Sequence, residues 1–214
     1  MFYSLADPQD ITRAGLMYVL SGMEGIEPHQ AEDKTELIDQ LRRRDEYQVV
    51  VIDYTLFDVN DIDELIVLAE RFPKVQWVVF SFDLTVDFVR RLVATGPQFS
   101  ILLKDSSLHE IRECLLYAQH RRRYVCQRMT EILLAPSAAV AEEKIPLTKT
   151  ETEILKDIAQ GMTTREIADR RFSSFHTVNT HRKNIFRKLG VNNAHEATRY
   201  ALRAGLVDAA EYYI

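Results

Sequence analysis

Short apolar runs alternate with stretches of helical periodicity over the first 120 residues, and this alternation restricts the possible fold most. The runs are Phe2–Ala6, Val49–Ile52, Val75–Phe80 and Ser100–Leu103, with a poorer one around Ile26–Ala31. Runs of four to six residues that are apolar throughout suit parallel strands covered on both faces. The pattern therefore predicts an α/β domain with a doubly wound, five-stranded parallel sheet.

The chain changes character after residue 120. A basic stretch from Arg121 to Leu134 has a helical pattern, and small residues and a proline predict a linker at about 135–146. No strand pattern follows, and four helices are predicted at about 150–160, 163–170, 174–189 and 193–206. We therefore expect three segments: a domain over 1–120, a helical extension and linker over 121–146, and a small all-α domain over 147–208.

Charge divides the chain in the same way. The whole chain carries a formal net charge of −5, yet Lys144 to Val207 contain twelve Lys and Arg residues against six Asp and Glu. An acidic module is thus joined to a basic one, and the basic module is the expected nucleic-acid-facing part. No apolar run is long enough to cross a bilayer, the two cysteines form no metal-type pair, and a cytoplasmic protein is expected.

Many positions at fixed spacing in the basic module point to a known DNA-binding domain. They include Leu147-Thr148-x-x-Glu151, Thr164-Arg165-Glu166-Ile167-Ala168, Thr177-Val178-x-Thr180-His181-Arg182 and Lys188-Leu189-Gly190-Val191. This stretch resembles the LuxR-type four-helix domain of the NarL/FixJ response regulators. The resemblance implies a helix-turn-helix that binds double-stranded DNA as a homodimer, since such regulators read two half-sites.

The helix predicted at 174–189 has two different faces. Val178, Ile185 and Leu189 form one apolar stripe, which should pack on the preceding helix. The opposite face has no acid and carries Asn179, Thr180, Lys183, Asn184 and Arg187. A helix that is apolar behind and polar or cationic in front suits the major groove.

The resemblance assigns roles to individual side chains of the basic module. The base-facing places just after the Thr177-Val178 pair are held here by Asn179, Thr180 and Lys183, and Asn pairs best with adenine. His181 lies beside the apolar stripe and is expected to pack or to bond the backbone. The expected phosphate contacts and remaining interface residues are Arg182, Arg187, Lys188, Thr163, Thr164, Ser174 and Thr177.

Four polar residues follow the predicted strands of the first domain. Asp7, Asp53, Ser81 and Lys104 stand at the ends of the first, third, fourth and fifth strands, which converge in this fold. Together with Leu102-Leu103-Lys104-Asp105 and the stretch from Ala6 to Leu16, they resemble the phosphoacceptor site of a response-regulator receiver.

The receiver resemblance implies a phosphorylation switch. Asp53 is the expected phosphoacceptor, and its donor is a sensor histidine kinase or a small phosphodonor. Lys104 and a Mg²⁺ ion held by Asp7 and Asp53 would supply positive charge. Ser81 would donate to the bound phosphoryl group and draw the following loop inward.

Three departures from the receiver pattern leave an alternative open. Pro8 replaces the second acid, the family's more direct metal ligand, so weak Mg²⁺ binding is expected; Phe57 replaces a proline, and Ile101 replaces the switch aromatic. The main hypothesis is a transcription regulator, not an enzyme, switched by phosphorylation of Asp53. The alternative is a phosphorylation-independent regulator whose degenerate receiver serves dimerisation or partner sensing. A phosphatase built on Asp53 is disfavoured because Thr55 stands where the second acid of haloacid-dehalogenase-type enzymes is needed.

Overall fold

A computed structural model describes residues 1–82, 84–135 and 146–207 of the chain. Its first part contains five parallel strands in the order β2-β1-β3-β4-β5. The strands are β1 Phe2–Ala6, β2 Glu27–Gln30, β3 Gln48–Ile52, β4 Val75–Ser81 and β5 Phe99–Leu103. This is the five-stranded parallel sheet that the apolar runs predict, so the expected fold of the first domain is confirmed.

Burial explains why the second strand gave the weakest sequence signal. Every residue of β1, β3, β4 and β5 is buried, whereas no residue of β2 is. β2 lies at the sheet edge and pairs only with β1, from Phe2 opposite Glu27 to Leu5 opposite Gln30. An edge strand needs less apolar surface than a central one, so Glu27–Gln30 lacks the apolar pattern.

Helices connect consecutive strands, as parallel pairing requires. Side-chain caps begin several of them: Asp33, Thr85 and Ser107 each accept a hydrogen bond from a backbone amide of the first turn that follows. The helices are α1 Asp10–Ser21, α2 Lys34–Arg42, α3 Ile62–Arg71, α4 Val86–Thr95 and α5 Leu108–Gln119.

The segment after α5 differs from the sequence expectation of a helix that begins at Arg121. Arg121 has a positive φ of 58°, which ends the helical path. Extended backbone then runs beside β5, where Ile101 donates to Tyr124 O and accepts from Cys126 N at 2.8 and 2.9 Å. The helix itself, α6 Gln127–Leu134, begins only after this pairing. The remainder of the expected linker, residues 136–145, lies outside the described residues.

The second part of the chain is helical, as predicted. Thr148, Thr163, Ser174 and Asn193 cap the four helices, and Gly190 adopts the left-handed conformation that ends the third. These helices are α7 Lys149–Ala159, α8 Thr164–Arg170, α9 Phe175–Leu189 and α10 Ala194–Arg203. Their apolar faces enclose one core, which includes Leu155, Ile167, Val178, Ile185 and Ala201.

The described residues form two compact units. The first contains the sheet and its helices, and the second contains α7 to α10 together with Asn60–Glu64. The combination of a receiver-like sheet domain and a helix-turn-helix domain is confirmed, while the domain boundaries at 120 and 147 stay predictions. No helix in the described ranges is both long and apolar enough to cross a membrane.

Candidate functional site

Four polar side chains predicted from the strand ends meet at the carboxyl edge of the sheet. The Ser81 hydroxyl donates to Asp53 Oδ1 at 2.9 Å, and Lys104 Nζ donates to Asp53 Oδ2 at 2.5 Å. Lys104 Nζ also lies 2.7 Å from Asp7 Oδ2. The Lys104 ammonium thus bridges the carboxylates of Asp7 and Asp53, and the Ser81 hydroxyl orients the carboxylate of Asp53.

Strand register brings these residues together. Ala6 pairs with Ile52 and Ser81 pairs with Leu103, so Asp7, Asp53 and Lys104 follow the last paired positions of their strands. The backbone hydrogen bonds between the strands continue one residue further, because Asp53 N donates to Ala6 O and Lys104 N donates to Ser81 O. Residues more than 90 positions apart therefore share one site.

Backbone amides hold both carboxylates in place. Thr55 N and Leu56 N donate to Asp53 Oδ1 at 2.8 and 3.2 Å, and Gln9 N donates to Asp7 Oδ1 at 2.8 Å. Asp7 Oδ2 contacts Lys104 Nζ as an ion pair and has no further hydrogen-bond partner. Asp7 is thus the less well satisfied of the two carboxylates.

The charges of the site do not balance. Two carboxylates face one ammonium, and the side chains of all three groups are at most 3% exposed. Burial raises the pKa of Asp7, and the charge of Asp53 acts in the same direction, although Lys104 and the Gln9 amide oppose them. An extra cation at this site would therefore be stabilised.

Oxygen ligands suited to Mg²⁺ are present, but few. Among the residues that the structure describes, no group of three or more His, Cys, Asp or Glu side chains surrounds a common point. Mg²⁺ keeps several waters and is commonly bound through one or two carboxylates plus substrate phosphate. Asp7 and Asp53, with one buried carboxylate oxygen that accepts no hydrogen bond, fit such a sparse site.

Sequence reasoning missed two side chains at the site. Gln9 Oε1 accepts a hydrogen bond from Lys104 Nζ at 2.7 Å, and the centre of the Phe82 ring lies 5.4 Å from the same nitrogen. Each stands next to a position that the sequence did single out, Pro8 or Ser81. That adjacency was the available signal, but it does not reveal which way a side chain turns.

The structure shows where the three residues that depart from the receiver pattern lie. Pro8 brings no side-chain oxygen to the site. Phe57 and Ile101 are almost fully buried, at 1% and 0% exposure. Since the backbone of Ile101 is paired with the segment from Tyr124 to Cys126, this position lies inside the fold and offers no surface side chain to respond to Ser81.

The second candidate site is α9. Val178 and Ile185 are buried in the domain core and Leu189 packs against it, as the helical periodicity predicts. Asn179, Arg182 and Lys183 are also buried in this structure, whereas Thr180 is half-buried. Their assignment to DNA stays a prediction.

Several hydroxyls expected at the phosphates act as helix caps. Thr163 and Glu166 form a reciprocal capping box, and Ser174 Oγ accepts from Thr177 N at 3.1 Å. Thr180 Oγ1 donates to His176 O at 2.9 Å, and Thr164 is buried at the start of α8. Capping leaves Ser174 and Thr177 exposed, so a phosphate contact remains compatible with their places.

Lys188 has a different setting from the other expected DNA contacts. Its Nζ donates to Glu151 Oε2 at 2.7 Å, and both side chains are largely buried. Burial acts to raise the pKa of Glu151, but Lys188 and the Thr148 amide outweigh it, so that pKa lies below its usual value. The pair joins α9 to the start of α7, and this supports a structural role for Lys188 while its DNA contact stays a prediction.

Comparisons with known proteins match both parts of the chain. Residues 145–201 match the family described as bacterial regulatory proteins, luxR family. The chain is 26% identical over 209 residues to the response regulator GacA of Pseudomonas aeruginosa, covering 96% of this chain and 97% of that one. It is 28% identical over 208 residues to the transcriptional regulatory protein LiaR of Bacillus subtilis, with coverage of 95% and 98%.

Solved structures share the fold. RcsB of Salmonella enterica serovar Typhimurium, bound to promoter P1flhDC with the phosphomimetic BeF3⁻, matches with a TM-score of 0.57 at 23% identity. The match covers 94% of this chain and 97% of that one. A further match, with a TM-score of 0.53 and 22% identity over 97% of this chain and 99% of the other, is described as two RcsB dimers bound to two parallel DNAs.

Proposed function

We propose that the chain is a response regulator of the NarL/FixJ type with a LuxR-type DNA-binding domain, and that phosphorylation of Asp53 switches its binding to DNA. Proteins of this class regulate transcription by binding DNA and are not enzymes. The observation that carries the proposal is the pair of side-chain hydrogen bonds to Asp53, one from Ser81 and one from Lys104.

The geometry supports Asp53 as a nucleophile. One of its oxygens attacks the phosphorus of a phosphohistidine, the phosphorus–nitrogen bond breaks, and imidazole takes up a proton as it leaves. Lys104 neutralises negative charge near the incoming phosphoryl group, and the Ser81 hydroxyl is placed to donate to a phosphoryl oxygen. The buried setting strengthens both contacts, because they compete little with water.

A divalent cation completes the proposed site. Asp7 and Asp53 would hold Mg²⁺, which supplies positive charge to the phosphoryl oxygens when it is bound. Since Pro8 contributes no ligand, we expect weaker Mg²⁺ binding than in a site with three acids. The chain's own cation, Lys104, accordingly provides a larger share of the charge.

In the second unit, we propose that α9 enters the major groove. Asn179, Thr180 and Lys183 would contact bases, while Arg182, Arg187 and exposed residues of the cap at Ser174 would contact phosphates.

We further propose a sensor histidine kinase as the phosphodonor and a homodimer as the DNA-binding form. A two-fold dimer would read two half-sites, and the surfaces around Leu108–Ala118 and Ala197–Leu206 are the expected contacts. Footprinting and stoichiometry on a selected DNA site measure this directly. Protection of two half-sites by two chains is expected, and protection of one half-site by one chain would contradict it.

A second candidate function has a specific observation in its favour. Lys104 already binds Asp7, Asp53 and Gln9, and the Ile101 position is buried. Such a receiver could act as a dimerisation or partner-sensing module whose carboxylates are neutralised by its own lysine. DNA binding would then respond to abundance or to a partner, and not to phosphate.

The intact mass of the chain after incubation with acetyl phosphate and Mg²⁺ separates the two candidates. We expect the wild-type chain to gain one phosphoryl group and Asp53→Asn to gain none. The control Asp10→Asn removes an exposed acid that pairs with Arg13 outside the site and should gain the group normally. A wild-type mass that does not change, or an equal gain in Asp53→Asn, would favour the second candidate.

A further inference from the structure

An aromatic residue in the turn between α8 and α9 has a backbone conformation that favours glycine. Phe172 has a positive φ of 50°. Its amide donates to Asp169 O at 3.3 Å, and Ser173 N donates to Ala168 O at 3.0 Å. These two hydrogen bonds close a helix through a left-handed residue. A side chain at that residue is strained, so local stability alone favours glycine there.

The other helices of the second unit end in the same way, and they do have glycine at this place. Gly161, Gly190 and Gly205 follow α7, α9 and α10, with φ values of 81°, 64° and 66°. Each makes the same pair of closing hydrogen bonds with its helix. Of these four helices, α8 alone is followed by a left-handed residue that carries a side chain.

The Phe172 side chain does not offset this strain by packing. It is 100% exposed, so its ring buries no apolar surface in the free chain. A single exposed apolar residue is ordinary on a protein surface, but one that also strains the backbone is not. Strain that the fold does not need is typical of functional positions.

Charge around the turn suits a polyanion. From Arg170 to His195 the chain contains no Asp or Glu but six Lys and Arg residues. This acid-free stretch includes Phe172 near its start and continues through all of α9. The exposed hydroxyls of Ser174 and Thr177 follow at the first turn of that helix. An aromatic ring within a surface of this kind suits nucleic acid better than an acidic protein surface or a purely apolar one.

We propose that Phe172 belongs to the DNA interface, where its ring packs on an apolar group of DNA, a thymine methyl or a deoxyribose. The inference rests on the proposed function, because it extends the interface assigned to α9. In a helix-turn-helix the N-terminal end of the second helix lies at the DNA, and Phe172 stands three residues before α9 begins. On DNA the ring gains the burial that it lacks in the free chain.

Substitutions that remove the ring but tolerate a positive φ test the inference. Full-length wild type, Phe172→Gly and Phe172→Asn are titrated with a DNA site that the wild type selects from a random pool, over a range of salt. Glycine and asparagine both adopt the left-handed conformation, so the turn keeps its path. We expect each to weaken binding about tenfold, as loss of one partly buried ring would. Phe172→Tyr keeps the ring and should bind as the wild type does.

Two further readouts separate a DNA contact from a structural role. The ring carries no charge, so the salt dependence of binding should stay as in the wild type, whereas Arg187→Ala should lower the salt slope by about one. The urea midpoint of the second unit, followed by helical circular dichroism, should not fall in Phe172→Gly, because glycine relieves the strain. A loss of affinity accompanied by a lower midpoint or by a changed salt slope would overturn the inference.

Unchanged affinity in both Phe172→Gly and Phe172→Asn, with binding weakened in Arg187→Ala, would overturn the inference, assign the ring to a protein partner and leave the proposed function intact. A wild type that binds no DNA would contradict both. The same site with uracil in place of thymine distinguishes the two apolar groups. If the ring contacts a methyl, uracil weakens the wild type more than Phe172→Gly; if it contacts a deoxyribose, uracil affects both proteins equally.

Discussion

Both units of the chain bury charged side chains, but they balance those charges differently. In the first unit, Asp7 and Asp53 share the single ammonium of Lys104. In the second unit, Glu151 pairs with Lys188, and Asp157 pairs with both Arg170 and Arg171. The first unit thus keeps an excess of buried negative charge, while every buried carboxylate named in the second unit has at least one cation of its own.

This difference separates a reactive site from a structural one. A buried carboxylate with its own cation and a capping role, such as Glu151, stabilises one arrangement of helices. Two carboxylates that share one cation repel each other and attract further positive charge, which is what a site that takes up Mg²⁺ and a phosphoryl group requires. Removing charged side chains from each unit in turn tests this contrast.

Glu151→Ala should have the largest effect on stability. It leaves Lys188 buried without its carboxylate and removes the capping box at Thr148, so we expect a loss of about 3 kcal/mol. Urea unfolding of the full chain measures it. Trp77 is buried in the first unit and is the only tryptophan, so helical circular dichroism should show an earlier transition that Trp77 fluorescence does not.

Glu153→Ala is the matched control, because Glu153 lies two residues further along α7 and pairs with Lys156 at the surface. Exposed pairs of this kind contribute about 0.5 kcal/mol or less. If Glu151→Ala and Glu153→Ala destabilised the second unit equally, the buried pair would have no special structural role, and Lys188 would be available for DNA.

Substitutions on the polar face of α9 should have the next largest effect, which is on DNA-binding affinity. Ala at Asn179 or Lys183 should weaken binding to a selected DNA site by about 1–3 kcal/mol and relax the preference at a single base position. Arg187→Ala should weaken binding to all sequences and lower the salt slope by about one. Binding of each variant to the selected site and to scrambled DNA, over a range of salt, distinguishes the two classes of contact. Unchanged affinity and base preference in both Asn179→Ala and Lys183→Ala would show that α9 does not read bases.

Asp7→Asn, which removes a carboxylate from the first unit, should have a smaller effect on stability than Glu151→Ala. Its effect should also be of opposite sign, a gain in the free energy of unfolding at neutral pH. Burial raises the pKa of Asp7, so the folded chain binds a proton at this group more tightly than the unfolded chain does. The stability that the group contributes is therefore greatest at low pH and is lost as pH rises through the folded pKa. Asp7→Asn should stabilise the first unit at neutral pH and flatten this dependence.

Urea unfolding followed by Trp77 fluorescence at a series of pH values from about 4 to 8 measures the effect. Asp10→Asn, at an exposed acid of α1, should leave the pH dependence of the first unit as it is in the wild type. Should Asp7→Asn destabilise the first unit at neutral pH, the charges of the site would be balanced after all, and the contrast between the two units would fail.

The sequence predicts most of the site because strand ends converge in a parallel sheet. Asp53, Ser81 and Lys104 could be placed together once the apolar runs were identified, since register alone brings them to one edge. Gln9 and Phe82 could not, because their roles depend on which way a side chain turns after its strand ends. Backbone periodicity carries no information about that choice.

The same limit applies to α9 and to the segment after α5. The resemblance places Lys188 among the expected phosphate contacts, but the carboxylate that binds it lies 37 residues earlier, in α7. Periodicity gives the segment from Arg121 to Cys126 a helical pattern, although the free edge of β5 pairs with that backbone instead. In both places a long-range partner overrides a local preference.

DNA affinity measured before and after phosphorylation tests the central claim most directly. The full-length wild type and Asp53→Asn are titrated with the same selected DNA site, each with Mg²⁺ alone and with Mg²⁺ plus phosphoramidate, and the phosphorylated fraction is read by intact mass. We predict that phosphoramidate tightens binding by the wild type and leaves Asp53→Asn unchanged. Equal affinity of the phosphorylated and unphosphorylated wild type, or the same response in Asp53→Asn, would contradict a switch at Asp53.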